Sequence, residues 1–298
     1  MNQMETSNVD EDIKKLEATI KQYQGESKYI EAIGVLEELL KIKKATFGTN
    51  SREFTRSCKQ LCEICNILAV YYLKKEDINS ALDLLKKSEE LCENNELGQA
   101  MTFNNMACYY RRIGKMRTAL NFLQRALTIE SRIQRPETQA DTHLNICAVL
   151  SQLNKHELAL NHAMSAVILL QEMMLRRKLD PASLAEEEED DLQSQNKDKV
   201  AVLAIAYHNM GVEQEFLRSY PAAILSYKKA VNFAEKNLGP EDGITMNLRS
   251  VYENARNEVS YQTCFLIFEW FSSIWLSSKK AKRQARARRR KEDLVSNT

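Results

Sequence analysis

The sequence has 298 residues, 44% of them hydrophobic and 28% charged, a length and balance that bury a sizeable core. Only 8 Gly and 4 Pro interrupt it, too few turn residues for a sandwich, a barrel or a doubly wound sheet of this size. Its net charge of +1 hides an asymmetry: residues 279–298 hold nine Lys/Arg against Glu292 and Asp293, a net of +7, and the rest carries 33 basic against 39 acidic residues, a net of −6.

Residues 1–12 read as a polar, acidic tail with no apolar stretch of the kind that directs secretion. From residue 13 onward, large and small residues recur at helical spacing. Ala119 and Ala126 lie seven apart, hence on one helical face, where small side chains let two helices approach closely. The same pair recurs as Ala159 with Ala166 and as Ala223 with Ala230, and in weaker form as Ala81 with Ser88 and Ala32 with Leu39. Leu85, Leu123 and Tyr227 fill one equivalent large position; Tyr29, Ile78, Met116 and Tyr220 fill another. Ahead of each pair runs a first amphipathic helix. Phe103–Asn121 and His143–Asn161 align at an offset of 40, with Gly114 and Asn154 at a tight turn that needs left-handed backbone.

The first and last second helices stop at Gly48 and Gly239. Between the fourth and fifth units lies residues 180–199, from Asp180-Pro181 through the six acids Glu186–Asp191 to Lys199. Mutual repulsion and a lack of apolar partners predict an extended or disordered insertion, either a solvated spacer or an acidic docking segment. A helix near 244–260 is expected to cap the array. Cys264–Leu276 is densely apolar but only 13 residues long and contains Glu269, so it is too short to span hydrocarbon as a helix. It is expected to cap the last repeat, anchor at a membrane interface or dock a partner. Lys279, Lys280, Lys282, Arg283, Arg286, Arg288, Arg289, Arg290 and Lys291 form the basic tail. That tail reads as a solvated helix end, a nuclear localisation signal, or an arm for a polyanion such as tubulin tails or nucleic acid.

Met106-Ala107, Tyr110, Gly114, Ala119, Leu123 and Ala126 stand in the pattern of the tetratricopeptide repeat, which this sequence resembles, as do Tyr207, Met210-Gly211, Tyr220, Ala223, Tyr227 and Ala230. Leu238-Gly-Pro-Glu241 is similar to the connector of kinesin-light-chain-type repeats, without their usual His-Pro. The resemblance implies an all-α, right-handed α-solenoid of five helix-turn-helix repeats, the first degenerate. Its expected layout is repeats one to four over 13–179, the acidic insertion 180–199, repeat five over 200–243, a capping helix and apolar segment over 244–278, and the basic tail 279–298.

Three cysteines, Cys58, Cys62 and Cys65, sit at a spacing that iron–sulfur enzymes also use. The same i, i+4, i+7 spacing is one buried face of a continuous helix, with no strand or Gly-rich loop beside it, and core packing is the expectation. An odd total of seven cysteines points to reduced thiols in an intracellular protein, not to a disulfide framework. Phosphate cradles, nucleophile elbows and His-Glu-x-x-His are absent from the sequence, so no enzyme, metal or cofactor is expected.

The working surface is expected to be the concave wall of first helices. Asn105, Asn145 and Asn209 share one repeat position, with Asn66 one residue short of it, and Asn104 and His208 are adjacent. An amide both donates and accepts, so these residues suit clamping the backbone of an extended peptide, or else closing local backbone bonds. His143 is a further groove candidate. The groove positions Met101, Asp141, Leu144, Ile205 and Val212 lack the cationic set that family members use to clamp a C-terminal carboxylate. The resulting expectation is a cytoplasmic adaptor that holds a peptide or helix, in a cytoskeletal or ciliary assembly with tubulin, microtubule-associated or motor partners. The alternative is a nuclear or nucleic-acid-associated factor recruited through the tail.

Overall fold

The computed structural model describes residues 3–134, 136–179 and 189–258, and among these every regular element is an α-helix. They follow as α1 (Gln3–Gly25), α2 (Tyr29–Phe47), α3 (Arg52–Lys74), α4 (Ile78–Leu91), α5 (Glu96–Arg112), α6 (Met116–Ile133), α7 (Pro136–Gln152), α8 (His156–Leu179), α9 (Glu189–Phe216) and α10 (Tyr220–Asn237). An eleventh helix, α11, covers residues 243–258. Consecutive helices pair into five antiparallel hairpins. The odd-numbered helices α3, α5, α7 and α9 also pack on one another in series, forming an inner wall.

One turn builds all five hairpins. A residue with left-handed backbone follows each first helix: Ser27, Glu76, Gly114, Asn154 and Arg218, with φ of 56°, 65°, 77°, 56° and 59°. The next N–H then reaches back five residues: Lys28 to Tyr23 O, Asp77 to Tyr72 O, Lys115 to Tyr110 O, Lys155 to Leu150 O and Ser219 to Gln214 O, at 2.8–3.0 Å. That bond satisfies carbonyls the ending helix would leave orphaned. Only one of the five sites is glycine; at the others the closed turn carries the strain of a side chain at positive φ.

The seams form where small side chains were expected. Ala32, Ala81, Ala119, Ala159 and Ala223 lie within 2% of full burial, as do Leu39, Ser88, Ala126, Ala166 and Ala230. Larger residues fill between them, so the core is a string of overlapping clusters. One joins α1–α3 around Ile20, Leu36 and Leu61; later ones are centred on Leu85, Leu123, Ile146 and Leu203. The last hairpin is covered by α11. Leu248 and Ala255 bury against Ala230, Ala234, Ala223 and Tyr227, and Arg249 donates from Nε and Nη2 to Glu235 Oε1 at 3.0 and 2.7 Å.

Two boundaries differ from expectation. Residues 3–12 are not a tail but the start of α1. Val9, Ile13, Leu16, Ile20 and Tyr23 form a stripe at helical spacing that packs on the first core cluster and extends the helix upstream. The expected extended insertion over 180–199 is likewise shorter, because α9 already begins at Glu189. Residues 180–188 lie outside the described residues. So do the apolar segment Cys264–Leu276 and the basic run Lys279–Lys291, with all nine of its candidate polyanion contacts.

One stretch, His156–Arg176 of α8, is long and apolar enough by composition to cross a membrane, with a third of it buried. Its Ala159, Ala163, Ala166, Val167 and Leu170 are used in packing against α7 and α9, which accounts for the apolarity.

Candidate functional site

The inner wall carries a cavity of about 510 Å³ between α5, α7 and α9. Its apolar side is Met101, Leu144, Val202 and Ile205; its polar side is Asn104, Asn105, Asn145, Thr138, Glu130 and Asp141. Met101 and Ile205 are 37% and 39% exposed, so both present apolar surface to the cavity. Four of the five groove positions expected from the sequence, Met101, Asp141, Leu144 and Ile205, meet here. Val212 does not: it packs beneath α10 and α11 against Ala223, Tyr227 and Ala255.

The asparagines divide into two roles. Asn66 is 2% exposed, and its Nδ2 is within bonding distance of Cys62 O, Ser88 Oγ and Thr102 Oγ1 at 3.1, 2.7 and 3.0 Å. Its Oδ1 accepts from Asn105 Nδ2 at 2.8 Å. The expectation that Asn66 contacts a peptide is therefore corrected. Its amide is spent on joining α3, α4 and α5.

One repeat later the arrangement recurs. Asn104 Nδ2 donates to Thr142 Oγ1 at 2.6 Å and approaches Glu130 Oε1 and Ala100 O at 3.3 and 3.4 Å, and Asn145 Nδ2 donates to Asn104 Oδ1 at 3.3 Å. In the first seam the hydroxyl partner is Ser88. In the second, Ala126 takes that place, and the longer Glu130 reaches in from one turn further along α6. The relay stops at the third seam because Leu144 stands where Asn66 and Asn104 stood.

Asn105 and Asn145 thus use one N–H each on the neighbouring repeat while lining the cavity. Asn209, on α9, is half-buried outside the cavity lining and makes no side-chain hydrogen bond among the described residues. His208 is also not brought to the cavity. Its ring lies 5.5 Å from that of Tyr227, burial holds it below the usual histidine range, and its Nδ1 has no partner. Tyr227 in turn donates to Glu215 Oε2 at 2.8 Å. His143 is paired rather than free: its Nδ1 is 2.8 Å from His162 Nδ1, burial with the second ring pushes it down to about 4, and burial lowers His162 as well.

Sequence reasoning missed Glu130. It sits on the second helix α6, 1% exposed. Oε1 accepts from Thr142 Oγ1 at 3.0 Å and faces Asn104 Nδ2, while Oε2 has no hydrogen-bond partner. Burial pushes its carboxyl up to about 7, against the opposing pull of the Thr142 and Thr138 hydroxyls. Burial also raises Asp141, although Lys199 acts in the other direction. No motif marks Glu130; the only signal available was an acid at a position where neighbouring repeats are apolar or small.

Of the three candidate cluster cysteines, Cys62 and Cys65 are fully buried and Cys58 half-buried along α3. Burial drives the Cys65 thiol up to about 12, the opposite of a metal-binding thiolate. Cys62 faces Ser88 Oγ at 3.1 Å as part of the asparagine seam. Among the described residues, no group of three His, Cys, Asp or Glu side chains is placed to hold a metal ion.

Comparison with known proteins agrees with this geometry. Residues 61–132 match the tetratricopeptide repeat family model. No curated protein matches the sequence. Among solved structures, BtubC (BKLC) from P. vanneervenii is 16% identical, covering 79% of this chain and 84% of that one, with a TM-score of 0.54. The apo form of RapI is 12% identical over 88% of each chain, with a TM-score of 0.54. A Rap protein complexed with Competence and Sporulation Factor is 16% identical, covering 86% of this chain and 73% of its own, with a TM-score of 0.50. At such identities the likeness concerns the fold. Over residues 61–132 the chain is similar to the tetratricopeptide repeat, and its described residues share the α-solenoid fold of those structures.

Proposed function

We propose that the protein is a non-enzymatic adaptor that holds a peptide or helical segment of another protein against its concave wall. The observation that carries this reading is the cavity between α5, α7 and α9, where exposed Met101 and Ile205 stand beside Asn105 and Asn145, whose Oδ1 atoms accept no hydrogen bond among the described residues. Apolar contacts give a guest affinity, and side-chain amides satisfy its backbone without demanding a sequence. The Rap structure named above holds a bound factor, which supports the fold's suitability for such a role.

A photo-crosslinking residue placed at Ile205 should capture a protein partner in cells, and the same residue at exposed Gln124 of α6 should not. Leu144→Asp should abolish capture. Equal labelling from the two faces would refute the groove as the working surface. A cytoskeletal setting, with tubulin or motor partners, rests on the Leu238–Glu241 connector and the basic tail. Its test is co-sedimentation with microtubules, lost on removing residues 279–298.

A further inference from the structure

Resting on the reading of a protein guest held against the inner wall, we infer that a second cavity, between α1 and α3, takes an acidic stretch of that guest, with Lys21 and Arg56 as the groups that recognise its anionic side chains. This cavity measures about 560 Å³, and its lining holds four basic side chains, Lys21, Lys43, Arg56 and Lys59, against two acidic ones, Glu17 and Glu63. That local excess of positive charge stands on a body, residues 1–278, whose net charge is −6.

Both acids are already engaged. Glu17 Oε1 accepts from the buried Lys43 Nζ at 2.7 Å, and Lys43 also donates to Ser57 Oγ at 2.9 Å. Glu63 Oε1 lies 4.0 Å from Lys59 Nζ. The neighbouring amides satisfy each other, Gln60 Nε2 donating to Gln24 Oε1 at 3.1 Å. Lys21 and Arg56 are left over. Both are exposed, one on α1 and the other on α3, and neither makes an ion pair or a side-chain hydrogen bond among the described residues. Two uncompensated like charges lining one cavity repel, and an anion between them replaces that repulsion with two attractions. Arginine offers a planar fork to the paired oxygens of a carboxylate or phosphate, and lysine adds a point charge.

Glu63, Met101 and Asp141 each stand thirteen residues before the left-handed residue of their hairpin, Glu76, Gly114 and Asn154, so this cavity and the one between α5, α7 and α9 open on the same face. The ionisable side chains lining the latter are Glu130 and Asp141, with no basic residue among them. A guest spanning both cavities therefore lies in one direction only, its acidic stretch on α1 and α3 and its apolar residues on Met101, Leu144 and Ile205.

The test uses the ¹⁵N-labelled full chain and terminally blocked hexapeptides of glutamate or of glutamine. Hexaglutamate should shift the backbone amides around Lys21 and Arg56 saturably, and more weakly at about 200 mM than at about 50 mM salt, because exposed cations are screened. Hexaglutamine should not. The basic tail also attracts hexaglutamate, so the reading is confined to α1 and α3. Lys21→Glu with Arg56→Glu should weaken this local binding about tenfold, and Lys21→Gln with Arg56→Gln should weaken it in the same direction even if charge reversal unsettles the hairpin. A phosphoserine hexapeptide that binds more tightly than hexaglutamate assigns the anion to phosphate, and the reverse order assigns it to carboxylate. If hexaglutamate shifts no amide of α1 or α3, or if both double variants bind it as the parent does, the anion site is wrong, whatever a crosslinker at Ile205 captures. If hexaglutamate binds there but Ile205 captures no partner, the anion site stands and the adaptor reading falls.

Discussion

Asn66→Ala tests the load on the buried amide. The substitution removes a side chain that is 2% exposed, reaches three acceptors and receives one donor. Ser88 and Thr102 retain each other at 3.0 Å, and Asn105, half-buried, turns to water, so two to three bonds are lost without full replacement. At about 1 kcal/mol each, plus the cavity left in a collapsed seam, the cost is about 2–4 kcal/mol. Asn105→Ala loses a single bond at a partly wet site, about 0.5–1.5 kcal/mol. The two share a bond, so the double variant should show a coupling of about 0.5–1.5 kcal/mol. Urea unfolding followed by far-UV circular dichroism gives the totals. Because a solenoid is stabilised seam by seam, hydrogen exchange should localise the loss to α3–α5. The reasoning fails if Asn66→Ala costs no more than Asn105→Ala, or if the two effects simply add.

Three further outcomes are expected. The stability advantage of wild type over Glu130→Gln should be greatest below about pH 4.5 and shrink by roughly 3 kcal/mol as pH rises through 7. Burial raises the folded carboxyl above its ordinary value, so the folded state binds the extra proton, and melting temperatures from pH 4 to 8 read the difference directly. Gly211→Ala should cost about 1–3 kcal/mol in urea unfolding, since its Cβ would lie 2.5 and 2.6 Å from ring carbons of Tyr227, a residue 2% exposed and held by Glu215. Ala126→Trp, at a fully buried seam position, should wedge α5 from α6 and lower the melting temperature by well over 10 °C; melting like the parent would contradict the stacked-hairpin architecture.

The seams were legible because burial there is enforced by spacing: Ala119 with Ala126 and Ala159 with Ala166 are alanine for a steric reason that sequence displays. The turns were half legible. Gly114 and Asn154 announce left-handed backbone, whereas Ser27, Glu76 and Arg218 adopt it under the pull of a closed hairpin, which no local preference reveals. The asparagine positions were found, but not which were spent. Whether an amide faces a groove or a seam depends on what the next repeat presents, Thr102 and Ser88 in one case and Leu144 in another. Glu130 stayed hidden for the same reason, since its importance lies in what α5 and α7 place around it.

The amide relay also bears on how such an array is inherited. From α3 to α7 each unit presents a donor that fits only the acceptor its neighbour supplies, so duplicating or deleting a unit there would strand a polar group in the interior. Past Leu144 the amide relay does not continue, and the next boundary is held instead by His156 Nδ1 and the buried Glu213 Oε2, 2.8 Å apart, so a unit lost there would strand a carboxylate.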